Sequence, residues 1–234
     1  MQTGWNENRA LLRGTAAAEP VLSHETHGVV YETFPLAVRR LSGSEDRVNV
    51  LVPRVLLEQR PVTEGMELEV EGEVRSFNNK SGKGSRLVIT LYAKELRPAA
   101  GEHENQLLLA GVLCKPPVVR RTPLGRDICD LMLAVNRRYG RADYLPCIAW
   151  GSLAHLCGEM AVGSSLGLDG RLQSRTYTKN LGDRVEERTA FEVSIMNLLP
   201  LEEARLALAA APSDPRLAGN AALLEKMAGT AGEL

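Results

Sequence analysis

The sequence predicts an all-β protein made of two tandem barrels, each with one short helix, followed by a short helical tail. Three observations predict this fold. An internal repeat relates the two halves of the chain, apolar residues alternate through most of each copy, and one segment of the copy has helical spacing. The 234 residues are 44% hydrophobic and 24% charged, which is typical of a globular protein.

The internal repeat divides the chain into domains. Asn8–Gly14 resembles Asn105–Gly111 at an offset of 97 residues (105 − 8). One residue is inserted later, so that Gly72 corresponds to Gly170 at an offset of 98 (170 − 72). A register kept over this length indicates two copies of one unit. We therefore expect a first barrel over 1–100, a second barrel over 101–200 and a tail over 201–234.

Alternation of apolar residues predicts strands in both copies. Leu107 and Leu109 alternate with less constrained positions, and Leu68 and Val70 alternate with glutamates, as in strands with one buried face. The glutamates form a row, namely Glu67, Glu69, Glu71 and Glu73. We interpret this row as a solvated face that would repel phosphate.

Each copy also contains one short helical segment. Leu153, Leu156, Cys157 and Met160 recur at intervals of three and four before Gly163, which predicts a helix that stops near this glycine. The order of three strands, a short helix and two strands is that of the oligonucleotide/oligosaccharide-binding barrel, the OB-fold. The tail is rich in alanine, leucine and glutamate and contains no aromatic residue.

The composition excludes several function classes. The four cysteines form no C-x-x-C pair, so we expect reduced, buried thiols and no zinc site. Neither a catalytic nucleophile nor a cofactor fingerprint stands out, and we expect a protein that is not an enzyme and binds no cofactor and no metal. The net charge of −1 argues against a binder that relies on global positive charge.

The sequence also bears on the compartment. The first twenty residues carry charged side chains where a secretory signal needs an apolar stretch, and the apolar runs of the chain are only a few residues long. We therefore expect a cytoplasmic protein that does not enter a membrane.

The second copy contains six motifs in a fixed order. They are Asn105–Gly111, Arg121–Gly125, Leu133–Arg137, Cys147–Ala154, Gly163–Ser165 and Gly170–Arg175. With these motifs the chain resembles the bacterial single-stranded DNA-binding protein family over residues 105–199. Residues 8–98 resemble that family only through the repeat, and the tail does not resemble it.

The resemblance implies a set of residues that bind DNA. In the family, bases stack on aromatic residues at four places, which hold Tyr139, Tyr144, Trp150 and Tyr177 here. Aromatic rings bind bases without sequence preference because every base has a π-face. Six basic residues flank these rings and are expected to contact phosphates: Arg137, Arg138, Arg141, Arg171, Arg175 and Lys179.

The first copy departs from the pattern at all four stacking positions. Ser42, Arg47, Pro53 and Asn79 stand where the second copy has its rings. We therefore interpret the first barrel as a degenerate copy with a structural or partner-binding role. We expect a secondary contact to DNA through Lys80, Lys83 and Arg86 in its Gly/Ser-rich loop.

The resemblance predicts a protein that binds and protects single-stranded DNA in replication, recombination or repair. The alternative is a primosome-type or partner-docking OB module for which DNA binding is secondary. Because the family commonly assembles four barrels, two barrels per chain predict a homodimer. The family usually ends in an acidic tail with an apolar tip, whereas Gly229–Leu234 contains one acidic residue, Glu233, so recruitment of replication enzymes by that route is doubtful.

Overall fold

The alternating segments of the sequence form β-strands in a computed structural model, which describes residues 7–79, 85–137, 140–180, 182, 185–202, 204 and 206. The first half contains β1 (Asn8–Ala16), β2 (Val21–Thr26), β3 (Val29–Arg39), β4 (Glu45–Pro53), α1 (Arg54–Gln59), β5 (Glu67–Asn78) and β6 (Leu87–Pro98). The second half contains β7 (Glu104–Leu113), β8 (Val118–Arg121), β9 (Asp127–Asn136), β10 (Ala142–Trp150), α2 (Ser152–Gly158), β11 (Ser165–Asn180) and β12 (Val185–Leu199).

Each half closes into a five-stranded barrel, which confirms the predicted all-β fold. In the first barrel β1 pairs with β5 along most of its length and with β3 at its end, where Thr15 lies opposite Ala37. Pairings of β3 with β4, of β4 with β6 and of β6 with β5 complete the ring. The second barrel repeats these pairings with β7, β9, β10, β12 and β11.

The barrel cores are filled by the alternating apolar residues. Val48, Val50 and Val52 point inward from β4 and are fully buried. The helix α2 is shorter than its sequence pattern predicts: it ends at Gly158 and not near Gly163. It buries only Ala154 and Cys157. Leu156 of the predicted apolar stripe is exposed, since a helix of two turns contacts the barrel along one narrow side only.

Two equivalent glycines permit the barrels to close. A methyl group at Gly14 would overlap the carbonyl oxygen of Ala37, and one at Gly111 would overlap that of Ala134. Both glycines lie where the first strand of a barrel passes closest to the strand that closes it. The repeat of this glycine in the sequence therefore reflects a close backbone approach in each copy.

The two barrels are joined by their first strands. β1 pairs antiparallel with β7, from Asn8 opposite Leu109 to Arg13 opposite Glu104, so that one twelve-stranded sheet runs through both barrels. Within the first barrel, Asn8 at the start of β1 makes two hydrogen bonds to the backbone of Val74 on β5, at 2.7 and 2.9 Å. Asn105 makes the same two bonds to Leu172, at 2.7 and 2.9 Å.

A cluster that we call the first seam ties β10 to the β5–β6 hairpin of the other barrel. The backbone N–H of Ser76 donates to Asp143 Oδ1 at 2.5 Å. Arg137 Nε donates to Asp143 Oδ2 at 2.6 Å, and Arg137 Nη2 donates to the carbonyl of Ser76 at 3.0 Å. Asp143 is fully buried, so its charge is compensated within the seam.

The second seam contains the same kinds of contact with the roles of the two barrels exchanged. The backbone N–H and the hydroxyl of Ser174 donate to Asp46 Oδ1 at 2.6 and 2.8 Å. Arg40 Nε donates to Asp46 Oδ2 at 2.7 Å and Arg40 Nη2 to the carbonyl of Ser174 at 2.9 Å. Because each barrel supplies one arginine–aspartate pair and one serine, the contact between the barrels is reciprocal.

The glutamate row of β5 is not the solvated face that the sequence predicts. Glu69 and Glu73 are buried. Glu69 pairs with Arg13 at 2.7 Å and with Arg97 at 3.4 Å, and Glu73 pairs with Arg75 and Lys94. The reason is that β5 lies between β1 and β6, which supply Arg13, Arg97 and Lys94, while Arg75 lies on β5 itself. The expected repulsion of phosphate therefore lacks its physical basis.

The tail is described only at its beginning. Leu201, Glu202, Ala204 and Leu206 have helical backbone, and Ala204 is buried against Gly167 of β11. The rest of the predicted helical tail lies outside the described residues.

Candidate nucleic-acid interface

Strand β10 presents two of the predicted stacking residues on its outer face. Leu145, Cys147 and Ala149 point into the barrel, so the alternation of the strand turns Tyr144 and Trp150 outward. Tyr144 is 52% exposed and Trp150 is 37% exposed. Both rings therefore offer surface to a ligand.

The third described stacking residue lies on the β11–β12 hairpin. β11 pairs with β7 only as far as Gly170, so residues beyond this point pair with β12 alone. Tyr177 lies on this extension, and the guanidinium carbon of Arg175 is 5.8 Å from the centre of its ring. Arg175 keeps 57% of its side chain exposed while it lies 3.7 Å from Glu192. A ring and an exposed cation thus stand side by side.

The predicted phosphate contacts fall into two groups. Arg141 is exposed, and Arg171 is partly buried and lies 3.2 Å from the sulfur of Met196. Arg137 is held in the first seam by Asp143 and Ser76. Its guanidinium is therefore engaged in holding the barrels together, and only an exposed part of the group is available to a phosphate.

Several predicted site residues lie outside the described part of the structure. They are Lys80, Lys83, Arg138 and Tyr139, together with the side chain of Lys179. Of the predicted secondary contact in the first barrel, Arg86 is described and is exposed.

The first barrel has aromatic rings that the sequence reasoning missed. Phe77 is 40% exposed, and it occupies the position equivalent to Arg175 (77 + 98 = 175). The guanidinium carbon of Arg137 lies 5.4 Å from the centre of its ring. The two copies were compared only at the family's four stacking positions. Phe77 lies two residues before one of these, Asn79, and therefore was not considered.

Three further rings gather on the outer face of the first barrel, and we call them the ring cluster: His24, Tyr31 and Tyr92. His24 stacks on Tyr31 with centroids 5.0 Å apart, and Tyr31 lies 6.1 Å from Tyr92 in a tilted arrangement. The pKa of Tyr92 is raised to about 12, because burial disfavours the phenolate and the hydrogen bond with Tyr31 favours the neutral phenol. Tyr92 therefore stays neutral at physiological pH.

The cysteines are structural. Cys129, Cys147 and Cys157 are buried, Cys114 is partly buried, and none forms a disulfide, which agrees with the expectation from the sequence. Burial raises the pKa of the Cys157 thiol to about 11, so the thiol form dominates. Among the described residues, His, Cys, Asp and Glu side chains form no cluster of three or more that could hold a metal.

None of the helices in the described ranges is both long and apolar enough to cross a membrane.

Comparison with known proteins identifies what the second barrel is similar to. A family model described as the Single-strand binding protein family matches residues 104–201. The single-stranded DNA-binding protein of Clostridium tetani is 35% identical over 101 residues, which are 39% of this chain and 70% of that protein. The single-stranded DNA-binding protein of Halalkalibacterium halodurans is 34% identical over 103 residues, 41% of this chain and 61% of that protein.

Other relatives are matched over a smaller part of their length. Single-stranded DNA-binding protein A of Bacillus subtilis is 38% identical over 88 residues, 35% of this chain and 51% of that protein. The chain thus spans between half and two thirds of the length of the Bacillus and Halalkalibacterium proteins.

Solved structures match both barrels. A deletion mutant of the single-stranded DNA-binding protein from Thermus aquaticus aligns with a TM-score of 0.67 and 25% identity, over 82% of this chain and 93% of that chain. The wild-type protein from the same organism gives the same TM-score at 24% identity. An alignment over 82% of the chain exceeds the length of one barrel, so the similarity extends to the tandem arrangement.

Proposed function

This chain belongs to the single-strand binding protein family, and we propose that it binds and protects single-stranded DNA with little sequence preference in replication, recombination or repair. The observation that supports this most directly is the pair of exposed rings on β10, Tyr144 and Trp150. Nucleic-acid bases stack on exposed aromatic rings of this kind.

We assign the main binding surface to the second barrel. Tyr144, Trp150 and Tyr177 stack bases, and Tyr139 is proposed to do the same on the connection between β9 and β10. Exposed Arg141 and Arg175 contact phosphates, as do Arg138, Arg171 and Lys179, while Arg137 both holds the first seam and borders the strand. The first barrel serves as scaffold and as a surface for secondary contact through Lys80, Lys83 and Arg86.

Binding depends on local contacts between side chains and DNA, because the second barrel carries almost no net positive charge. Within 101–200 the twelve Lys and Arg are almost balanced by eleven Asp and Glu. Affinity therefore depends mainly on stacking, which tolerates any base because every base has a π-face.

Fluorescence of Trp150 tests the proposal. Trp5 is first replaced by phenylalanine, so that Trp150 is the only indole of the chain. Titration with oligo-dT is expected to quench the fluorescence strongly, and a duplex of equal length is expected to bind much more weakly. If oligo-dT neither quenches the fluorescence nor binds by an independent method, the protein is a partner-docking module and not a single-strand binder.

We further propose that the protein is a cytoplasmic homodimer, which brings four OB barrels together. A closed two-fold pair is the simplest assembly that reaches this number. Sedimentation equilibrium should then give a mass of about 51 kDa, twice the 25.5 kDa of one chain. A mass of one chain at micromolar concentration would exclude the dimer.

A further inference from the structure

From the rings of the first barrel we infer that the bound strand does not stay on the second barrel. It crosses the first seam and continues over the first barrel, where bases stack on Phe77 and on the ring cluster. The inference rests on the proposed function and extends it, because it adds a base-stacking surface at positions where the repeat predicts none.

The first seam provides the crossing point. Tyr144 follows Asp143 directly in β10, and Phe77 follows Ser76 directly in β5. The seam fixes these two backbones together, since the Tyr144 N–H also donates to the Ser76 hydroxyl at 2.8 Å. Two exposed rings from different barrels are thus held next to one junction, with the Arg137 guanidinium over Phe77.

Arg75 connects the seam with the ring cluster. Its Nη1 donates to Asp143 Oδ2 at 3.1 Å, and its guanidinium carbon lies 5.7 Å from the centre of the Tyr92 ring. From Tyr92 the rings continue through Tyr31 to exposed His24 at the edge of the barrel. The surface is therefore a continuous sequence of rings and guanidinium groups.

The charges along this surface suit a polyanion with stacked bases. The acidic groups at the seam, Asp143 and Glu73, are buried and bound to arginine or lysine, and Glu32 beside Tyr31 pairs with Arg54. The rings of His24 and Phe77 are exposed, Tyr31 and Tyr92 are partly exposed, and Arg75 and Arg137 keep 19% and 18% of their side chains exposed. Arg on an aromatic ring adds a cation–π contribution to base stacking. The surface also adjoins the rings of β10, so one strand can occupy both.

The second seam shows that this arrangement is not a by-product of the repeat. Arg47 and Arg175 stand there in the places of Tyr144 and Phe77, and Ile128 and Ser194 stand in the places of Tyr31 and Tyr92. The barrels thus fold alike without these rings. Rings at all of these positions occur on one side of the molecule only.

Oligonucleotides of two lengths test the inference. One OB barrel occupies roughly 4–16 nucleotides, so an oligo-dT of about 10 nucleotides fits the second barrel and one of about 30 also reaches the first. His24→Leu is expected to raise the Kd for the long oligonucleotide about fivefold or more, the equivalent of one stacked base, and to leave that for the short one within twofold. Phe77→Leu should likewise raise the Kd for the long oligonucleotide about fivefold or more.

Two comparisons keep the result unambiguous. Loss of folded protein weakens binding of both lengths, so the ratio of the two Kd values isolates the first barrel. Phe77→Tyr keeps the ring and should bind the long oligonucleotide like the wild type. The inference is wrong if both leucine variants bind the long oligonucleotide within twofold of the wild type, or if Phe77→Tyr weakens binding as much as Phe77→Leu. A wild-type protein that binds neither length contradicts the proposed function itself.

Discussion

Asp46 and Asp143 occupy equivalent positions in the two barrels, and each accepts a hydrogen bond from the backbone N–H of a serine in the opposite barrel. Each also binds an arginine of its own barrel, Arg40 or Arg137. The carboxylates are 1% and 0% exposed. The two barrels are therefore held together by buried charges whose partners belong to both.

Asp143→Asn is expected to lower the free energy of unfolding by about 3 kcal/mol, because it leaves Arg137 without its counter-charge in the seam. Chemical denaturation measures this. The control is Asp130→Asn, since Asp130 pairs with Arg120 at the surface and exposed pairs contribute less than about 1 kcal/mol. Equal losses in the two variants would show that the seam does not hold the barrels together.

The stability of the protein should fall as the pH drops below about 4 because of Asp46. Burial raises the pKa of Asp46, but the hydrogen bonds from Arg40 and Ser174 outweigh this effect, and the pKa lies below its ordinary value. An acid with a lowered pKa in the folded state stabilises the fold above its unfolded pKa, about 3.9, and loses this contribution as the pH falls through the folded pKa. Asp46→Asn should flatten the dependence of unfolding free energy on pH in this range.

Glu71 provides a control of opposite sign. Burial raises the pKa of Glu71 in spite of Arg9 and Arg97, so the folded protein binds its proton more readily than the unfolded chain does. Glu71 therefore favours folding as the pH falls, and Glu71→Gln should make the acid-induced loss of stability steeper. A flatter profile in this variant would contradict the assignment.

Tyr177→Ala is expected to weaken oligo-dT binding by about 1–3 kcal/mol, because it removes one stacking ring. Tyr144→Ala and Tyr139→Ala should behave alike. Fluorescence titration measures the effect, and thermal melting checks that each variant is folded. Trp150→Ala is a poorer probe, since this indole is less exposed than Tyr144, 37% against 52%, and its loss also affects packing.

Asn79→Ala is the matched control for Tyr177→Ala, because it changes the equivalent position of the first barrel and removes no ring. Affinity should change by no more than a few tenths of a kcal/mol. If Asn79→Ala weakened binding as much as Tyr177→Ala, the main contact would have to be reassigned to the loop that contains Lys80 and Arg86.

Binding should depend on salt through a small number of exposed arginines. Each phosphate contact on a single strand contributes about 0.7 to the slope of log K against log salt concentration. Arg175→Gln is therefore expected to reduce the slope by about 0.7, whereas Arg60→Gln, which alters an exposed residue after α1, should not change it. A wild-type slope near zero would exclude phosphate contacts.

The sequence predicts the strands well because their signal is local. Leu107 and Leu109 alternate within a few residues, and the repeat doubles each observation. The seams have no such signal, since Asp46 and Ser174 are 128 residues apart and Asp143 and Ser76 are 67 residues apart. Only closure of both barrels and the pairing of β1 with β7 bring them together.

Some residues of the candidate site could likewise be predicted from the sequence, and others could not. Trp150 could be found because it lies within a motif of the second copy, and Tyr144 because it lies three residues before that motif. Phe77, Tyr92 and Tyr31 lie on different strands with no common spacing, and they meet only through the register of β3, β4, β5 and β6. The burial of Glu69 and Glu73 was missed because β5 lies between two other strands, and Arg13, Arg97 and Lys94 come from those strands.

The pairing of β1 with β7 within one chain has a consequence for how such a protein can change. If two identical chains supplied the barrels, every substitution would occur twice, and both seams would carry the same residues. Here a single codon change alters one seam and leaves the other as it was. The association is also independent of protein concentration, because the chain joins its own halves through residues 99–103. The two seams can therefore acquire different residues, and the two barrels stay paired even in dilute solution.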